Sequence, residues 1–214
     1  MPRQIDHEAR RRLIANAVCA LADEHGLEGV TLRDVAARAG VSMGAVQRCF
    51  RTKEEMLRFA LAHVGRRVLA RIRTGDDGSD DGSDDGGTGG GTGGDAAETL
   101  TRAAVETALL RGEQRAEARV WLAFVAQAAV SPPLAAVLRE AYTGLTEMLA
   151  RLVAAAGGAA DPVREAQTLL ALADGLTTHV LVGHLTPAAA RAALEAHLAR
   201  LTAVRAPGGR DRLG

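Results

Sequence analysis

The chain has 214 residues, and its 26 Lys+Arg balance its 26 Asp+Glu, so net charge by itself indicates no class of partner. Alanine and leucine are abundant and aromatic residues make up only 2% of the chain. This composition excludes β-sandwich and β-barrel folds, whose strands need β-branched and aromatic residues. Two cysteines without metal-ligand spacing, Cys19 and Cys49, also exclude a disulfide or zinc framework. We therefore expect an all-α protein with reduced thiols.

The charge is unevenly distributed along the chain. Residues 1–74 carry 14 basic and 8 acidic side chains, whereas residues 75–98 carry no basic and 8 acidic side chains. The remainder carries 12 basic and 10 acidic side chains. The excess of positive charge therefore lies in the first third of the chain, where a polyanionic partner would be attracted.

The first predicted helix, about 7–25, begins much as a secretory signal does, because three arginines precede an apolar run. Against that interpretation, Asp6 and Glu8 lie within the basic segment and Asn16 interrupts the apolar run. The apolar residues also form one helical stripe, as in a folded domain. No apolar run approaches the ~20 residues that span a bilayer. We therefore expect a cytoplasmic protein without a membrane partner.

The next three predicted helices are short and closely spaced. Hydroxyl side chains suited to N-caps open each one: Thr31 for about 32–39, Ser42 for about 43–49, and Thr52 for a helix from Lys53, where Glu55 completes a capping box. Gly40 suits the turn between the second and third helices, because it adopts a left-handed backbone without strain. This spacing predicts a helix-turn-helix. An ordinary helical hairpin is the alternative, but polar Gln47 and Arg48 and the surrounding basic residues favour DNA binding.

Residues 75–94 consist only of Gly, Asp, Ser and Thr. Such a segment cannot bury apolar surface, so we expect a disordered linker. A calcium-binding loop is the alternative, but the segment lacks the glutamate that closes an EF-hand loop. Longer helices are predicted after it, at about 96–111, 114–130, 134–156, 162–184 and 187–203, with Pro and Gly between them.

Residues 28–57, EGVTLRDVAARAGVSMGAVQRCFRTKEEML, resemble the DNA-binding domain of the tetracycline-repressor (TetR) family of transcriptional regulators. The resemblance implies a helix-turn-helix DNA-binding domain over 1–52, a connecting helix over 53–74, and a helical ligand-binding and dimerisation domain over 95–205. The 75–94 linker between them departs from the family pattern. It also implies a dimeric repressor that a small effector releases from a pseudo-palindromic operator in double-stranded DNA. An activator or a ligand-independent DNA-binding protein of the same fold remains open.

The resemblance assigns DNA-contacting roles to specific residues. Thr31, Arg33 and Lys53 would meet phosphates, and Ser42, Met43, Gly44, Ala45, Gln47 and Arg48 would face the major groove or its walls. Gln47 stands where the family usually has Tyr, and Cys49 where it often has His. Glutamine can pair with adenine and arginine with guanine in that groove.

The C-terminal helices offer fewer signals. The large polar or aromatic residues that we consider as candidates near a ligand are Trp121, Phe124, Gln127, Tyr142, Thr178 and His179. For each one taken alone, packing in the core is the more common role. Their apolar surroundings favour an apolar or amphipathic, neutral to modestly charged ligand. The residues that we expect in a dimer interface, as the resemblance suggests, are Leu169, Leu172, Ala173, Leu176, Val180, Leu194, Leu198 and Leu201; intrachain core is the alternative.

Other classes of function find little support. His179 and His184 are poorly spaced for a shared metal, so we expect no metal site and no cofactor. Cys49 is either a redox switch beside the DNA-binding surface or a small core residue. The sequence contains no GxSxG, P-loop or HExxH motif. We therefore expect a regulator rather than an enzyme in the helical bundle.

Overall fold

The computed structural model describes residues 2–74, 93–157 and 159–203. Within these ranges it contains α-helices, one 3-10 turn at Gly112–Gln114, and no β-strand. The helices are α1 (Pro2–His25), α2 (Leu32–Arg38), α3 (Met43–Cys49), α4 (Lys53–Thr74), α5 (Gly93–Thr107), α6 (Arg115–Ala128), α7 (Pro132–Ala156), α8 (Pro162–Leu181) and α9 (Pro187–Ala203). The all-α class is confirmed.

The N-terminal helices α1–α3 begin and end where local chemistry predicts. Thr31 Oγ1 accepts a hydrogen bond from the backbone N–H of Asp34, and Ser42 Oγ accepts one from Ala45, each at 3.2 Å. Gly40 adopts φ 64° in the turn between α2 and α3. The capping box of α4 differs in one respect, because the Glu55 carboxylate accepts from the backbone N–H of Arg51 rather than from that of Thr52.

One core joins α1, α2, α3 and the first half of α4. Val18, Val35 and Val46 are fully buried within it. Phe50 at the end of α3 packs against Phe59 of α4, with 5.4 Å between the ring centroids. The Arg11 guanidinium lies over both rings, 4.8 Å and 4.4 Å from their centroids, where a cation–π contact adds to the burial. These contacts fix the orientation of the short helix α3.

Helix α4 continues from this core into the C-terminal bundle. There it packs against α5, α6 and α7, while α7 also packs on α5, α6 and α8, and α9 packs on α5 and α8. Gly157 ends α7 with φ 80°, which is a common helix stop. Helix α4 thus links the N-terminal core to the C-terminal bundle, and α1 also packs directly on α6, where Arg119 pairs with Asp23.

The predicted bounds of the C-terminal helices differ from the structure by three or more residues at both ends of α5 and at the end of α8, and by one or two residues at both ends of α6 and at the start of α7. Helix α5 ends at Thr107 rather than near residue 111, because Leu109 has a left-handed backbone with φ 48°. Helix α8 ends at Leu181, since Gly183 turns left-handed at φ 77°. The predicted 75–94 linker lies outside the described residues except for Gly93 and Gly94, which begin α5. Residues 204 and 205 of the predicted sensor domain also lie outside them.

Candidate DNA-binding surface and ligand pocket

The outward face of α3 is polar and open. Ser42, Met43, Gln47 and Arg48 are exposed, whereas Val46 and Cys49 on the opposite face are buried. Ala45, which was predicted to face DNA, is only 7% exposed. So little of its surface is accessible that its methyl group contributes little to the outward face of α3. Cys49 likewise packs as a core residue beneath this face.

Two features hold the α3 face in position. The backbone N–H of Val41 donates to the carbonyl of Ala36 at 3.0 Å, which closes the turn from α2. Gly44 is half-buried beneath the Arg48 side chain, since a Cβ at Gly44 would lie 3.5 Å from Arg48 Nη1. The Arg48 guanidinium therefore rests on the surface of α3 above Gly44, one turn away along the helix.

The predicted phosphate contacts differ in availability. Arg33 is exposed and Lys53 is half-buried at the start of α4. The Thr31 hydroxyl donates to Asp34 Oδ2 at 2.6 Å, so its proton is already engaged. Arg38 is held by two hydrogen bonds to Glu24, of 2.8 Å and 2.6 Å. Arg33 and Lys53 are thus the predicted cations with the freest access to a phosphate.

Trp121, Tyr142 and Asp174 form a polar cluster inside the C-terminal bundle. Trp121 Nε1 donates to Asp174 Oδ1 at 3.3 Å, and the Tyr142 hydroxyl donates to Asp174 Oδ2. The two aromatic rings meet edge to face with centroids 5.8 Å apart. Trp121 and Tyr142 were predicted from the sequence, but Asp174 was not. Its signal is a single carboxylate in the apolar run LLALADGL.

The Asp174 carboxylate is desolvated. Burial raises its pKa above the ordinary value, although hydrogen bonds from Tyr142 and Trp121 oppose the rise. Burial and the adjacent Asp174 also raise the pKa of Tyr142. No cation in the described part of the chain contributes to the pKa of Asp174. Two aromatic rings beside an uncompensated negative charge make a site that would suit a positively charged group.

A pocket with very little free space adjoins the cluster. Its walls come from five helices and one loop, with the lining residues Gly65, Val68, Thr107, Leu109, Trp121, Tyr142, Leu145, Leu170 and Asp174. The free volume is about 10 Å³, which is close to the least that one water occupies. A larger ligand can therefore be held only after the walls move apart.

The other residues predicted near a ligand do not line this pocket. Phe124 is fully buried in the core, and Gln127 is half-buried one turn further along α6. Thr178 Oγ1 donates to the backbone carbonyl of Asp174 at 2.9 Å. His179 is exposed, with its ring 4.9 Å from that of His184.

The apolar stripe predicted for dimerisation faces inward. Leu169, Ala173, Leu176, Leu194 and Leu198 are at most 6% exposed, because α8 and α9 direct this stripe at their neighbours in the same chain. Leu172, Val180 and Leu201 are half-buried beside it. A second copy could therefore contact only the outward residues that adjoin the stripe.

A buried ion network fixes the end of α4. Arg71 Nε donates to Glu106 Oε2 at 3.0 Å, and Arg71 Nη2 lies 2.9 Å from Glu117 Oε2. Glu106 is 2% exposed and also contacts Arg111 at 2.8 Å and Gln114 at 2.7 Å. The sequence analysis missed this network. It ties α4 to α5 through Glu106 and to α6 through Glu117.

Among the described residues, no group of three or more His, Cys, Asp or Glu side chains could hold a metal ion. Within the same residues, no helix is both long enough and apolar enough to cross a membrane.

Comparisons with known proteins agree with this architecture. The family described as bacterial regulatory proteins, tetR family, matches residues 14–59, and the BetI-type transcriptional repressor C-terminal family matches residues 96–203. The HTH-type transcriptional regulator PksA of Bacillus subtilis is 32% identical over 185 residues, which cover 85% of this chain and 83% of PksA.

Solved structures share the fold. A transcriptional regulator from Rhodococcus sp. Rha1 superposes with a TM-score of 0.73 at 31% identity, covering 89% of this chain and 95% of the regulator. A regulator from Saccharomonospora viridis, crystallised with choline, gives a TM-score of 0.70 at 24% identity and covers 88% and 95% of the two chains. With its helix-turn-helix, its BetI-type C-terminal bundle and relatives that are regulators rather than enzymes, the chain belongs to the TetR family of transcriptional regulators.

Proposed function

We propose that the protein is a homodimeric repressor that a small amphipathic cation releases from a pseudo-palindromic operator. The observation that supports sequence-specific binding is the outward face of α3, where Gln47 and Arg48 are exposed on a basic N-terminal region. Side chains of these two types discriminate adenine and guanine in the major groove. Arg33 and Lys53 would fix the orientation by contacting phosphates.

The Asp174 cluster supports the ligand class. A half-buried carboxylate such as that of Asp174, without a compensating cation, is unfavourable, and the faces of Trp and Tyr rings attract cations, quaternary ammonium ions above all. The apolar remainder of the lining favours alkyl groups around the charge. The choline held by the regulator from Saccharomonospora viridis is an ion of this kind, in a protein of the same fold.

The closed state of the pocket supports release rather than co-repression. Because a free volume of about 10 Å³ cannot hold choline, such a cation would bind an expanded state in preference to this one. Gly65 and Val68 belong both to the pocket wall and to α4. Expansion would therefore displace α4, and with it the attached helix α3. The spacing of two recognition helices in a dimer would then no longer match the operator.

A dimer is supported by the outward surface of α8 and the start of α9. From residue 167 to residue 189, no exposed residue is Asp, Glu, Lys or Arg. An outward helix face usually carries such charges when it meets water. Two copies joined here would present two α3 helices, and such a pair reads half-sites about 34–36 Å apart.

Operator binding tests the proposal directly. Fluorescence anisotropy would measure binding to fragments from upstream of the protein's own gene, with nonspecific competitor and at two salt concentrations. We expect competitor-resistant binding of two protomers, or a small multiple of two, per site. Choline should weaken this binding by about 5–150-fold, the usual range of allosteric coupling.

The matched control is the uncharged isostere of choline, in which carbon replaces the nitrogen. It should leave operator binding unchanged, because it gains nothing from Asp174. Binding that is weak, steeply salt-dependent and abolished by competitor would contradict the repressor. Equal effects of choline and its isostere would contradict the cationic ligand class, and tighter operator binding with choline would contradict release.

A further inference from the structure

A surface groove between α4 and α7 leads toward the buried Asp174 pocket. Its free volume is about 400 Å³, and its lining residues are Ala62, Gly65, Arg66, Leu69, Val137, Glu140, Ala141, Gly144 and Leu145. Two of these, Gly65 on α4 and Leu145 on α7, also line the pocket at Asp174. The groove and the pocket are therefore adjacent spaces that share one wall, formed by these two residues.

Gly65 is an unusual residue for its position. It is buried in the interior of α4, where glycine is less stable than alanine. Its backbone does not need glycine, since it is absent from the residues with positive φ. Packing does not need glycine either, because a Cβ there would meet only Ala141 Cβ, at 3.8 Å, an ordinary van der Waals distance.

What the missing side chain does provide is space between the groove and the pocket. Resting on the ligand pocket proposed above, we infer that Gly65 is a specificity-determining residue: it keeps the shared wall thin, so that when α4 and α7 part a narrow passage forms there by which a small organic cation reaches Asp174, and its width sets the size of the cation that enters. Ala141 on α7 faces Gly65 across this passage.

The groove suits such a cation in transit. Its only charged lining residues are Arg66 and Glu140, and the exposed Glu140 carboxylate supplies a negative group at the surface. The Arg66 guanidinium is turned onto the Phe59 ring, 5.4 Å from its centroid. Deeper in, Leu69, Val137 and Leu145 offer apolar walls to alkyl groups. A ligand that takes this path must part α4 from α7, the same displacement that the proposed release requires.

Stopped-flow fluorescence of Trp121, the one tryptophan of the chain, tests the passage. Choline and the bulkier tetraethylammonium would be mixed with the intact protein and with three variants. Gly65→Leu fills the passage from α4. Ala141→Leu fills it from α7 without lining the pocket at Asp174. Gly65→Ala adds one methyl group, which the structure accommodates.

We expect Ala141→Leu to slow association and dissociation of choline by about tenfold or more while leaving the dissociation constant within about threefold, because a passage affects both rates equally. Gly65→Leu should slow association by at least as much. Gly65→Ala should slow tetraethylammonium more than choline. Operator affinity without ligand serves as the folding control for every variant. If Gly65→Leu fails this control, the rates measured with Ala141→Leu test the passage on their own.

Unchanged association rates in folded Ala141→Leu, or in both leucine variants, would overturn the role of Gly65 while leaving the ligand proposal intact. A change in the dissociation rate alone would overturn it too, because that result marks a pocket contact rather than a passage. If the unmodified protein responds to neither cation, the proposed ligand class itself fails, and the passage inference fails with it.

Discussion

Asp174 illustrates how one residue defines the chemistry of the C-terminal bundle. Its carboxylate accepts hydrogen bonds from Trp121 and Tyr142, yet no cation in the described ranges contributes to its pKa. Hydrogen bonds of this kind reduce the penalty of burial without cancelling the charge. The uncancelled charge is what a cationic ligand would neutralise, and it makes ligand binding dependent on pH.

Choline affinity should fall with decreasing pH because of Asp174. Burial raises the pKa of this carboxyl in the free protein, whereas a bound cation would lower it, so protons and choline compete. Affinity is therefore complete above the pKa of the free protein and is lost as pH falls through it, by up to about tenfold per pH unit. Because choline carries a permanent charge, only the protein titrates. Fluorescence titration of Trp121 between about pH 4 and 8 measures the effect.

The matched variant is Asp174→Asn, which preserves the shape of the side chain but carries no charge. It should bind choline at least about tenfold more weakly at neutral pH and show a flat pH profile over the same range. A variant that keeps the wild-type profile would show that a different group titrates, and would remove Asp174 from the proposed site.

Arg48 should determine specificity at one base pair. Arg48→Ala should weaken operator binding by about 1–3 kcal/mol and relax the preference at a single position, since an arginine pair with guanine is lost. Anisotropy with operators that differ by one base pair measures this. The comparison variant is Arg33→Ala, which should weaken all sequences alike and lower the salt dependence by about one phosphate contact. A uniform loss for Arg48→Ala would make it a phosphate contact instead.

Sequence patterns identified residues well where chemistry is local and poorly where it depends on packing. The hydroxyl caps Thr31 and Ser42 are recognisable because each acts on a backbone group three residues away. Asp174 and Trp121 are 53 residues apart, and only the packing of α6 on α8 brings them together. The resemblance predicted that Ala45 faces DNA, but a resemblance in sequence does not show how deeply a side chain is buried.

The same distinction applies to the helices. Pro and Gly marked most helix starts and several ends, but α5 stops early at Leu109, a residue that rarely adopts a left-handed backbone. Leu109 is 5% exposed and lines the Asp174 pocket, so tertiary burial holds its conformation. The sequence could not decide whether the apolar stripe of α8 and α9 packs in the core or in a dimer interface for a related reason. Helical periodicity indicates that a helix has an apolar face, but it does not show whether the same chain or a second copy covers that face.

The Arg71 network should couple α4 to the C-terminal bundle. Arg71→Met leaves the buried Glu106 and Glu117 carboxylates short of a partner, so we expect the free energy of unfolding to fall by about 1–3 kcal/mol. Choline should then release the operator less effectively, because displacement of α5 and α6 no longer pulls on α4. Urea unfolding and operator anisotropy with choline measure the two effects.

The control for Arg71→Met lies in the same last turn of α4. Arg73 is exposed, and Arg73→Met should change the free energy of unfolding by no more than about 0.5 kcal/mol. If the two variants behave alike in both assays, the network plays no part in coupling, and the contacts of α4 with α7 would have to carry it.

At the scale of the whole molecule, the positively charged region and the uncharged surface lie in different parts of the chain. The basic excess lies in the residues before 75, beside the α3 surface, whereas the exposed residues of α8 from residue 167 onward include no Asp, Glu, Lys or Arg. A dimer through α8 and α9 would cover this uncharged face and leave both α3 helices accessible to DNA. In such a twofold-symmetric interface both copies use the same surface patch, so each contact occurs twice and a residue near the axis meets its own copy.

A charge introduced into the uncharged face should therefore enter the interface twice, once from each copy. Ala171 is exposed on α8, and Ala171→Glu would place two carboxylates in one symmetric interface. We expect sedimentation velocity to show a shift from dimer to monomer and operator affinity to fall by at least about tenfold, while choline still changes Trp121 fluorescence. Ala136→Glu, at an exposed position of α7, should remain dimeric. A dimer that persists in Ala171→Glu with full operator affinity would place the interface elsewhere on the chain, because two carboxylates buried there without a partner are strongly unfavourable.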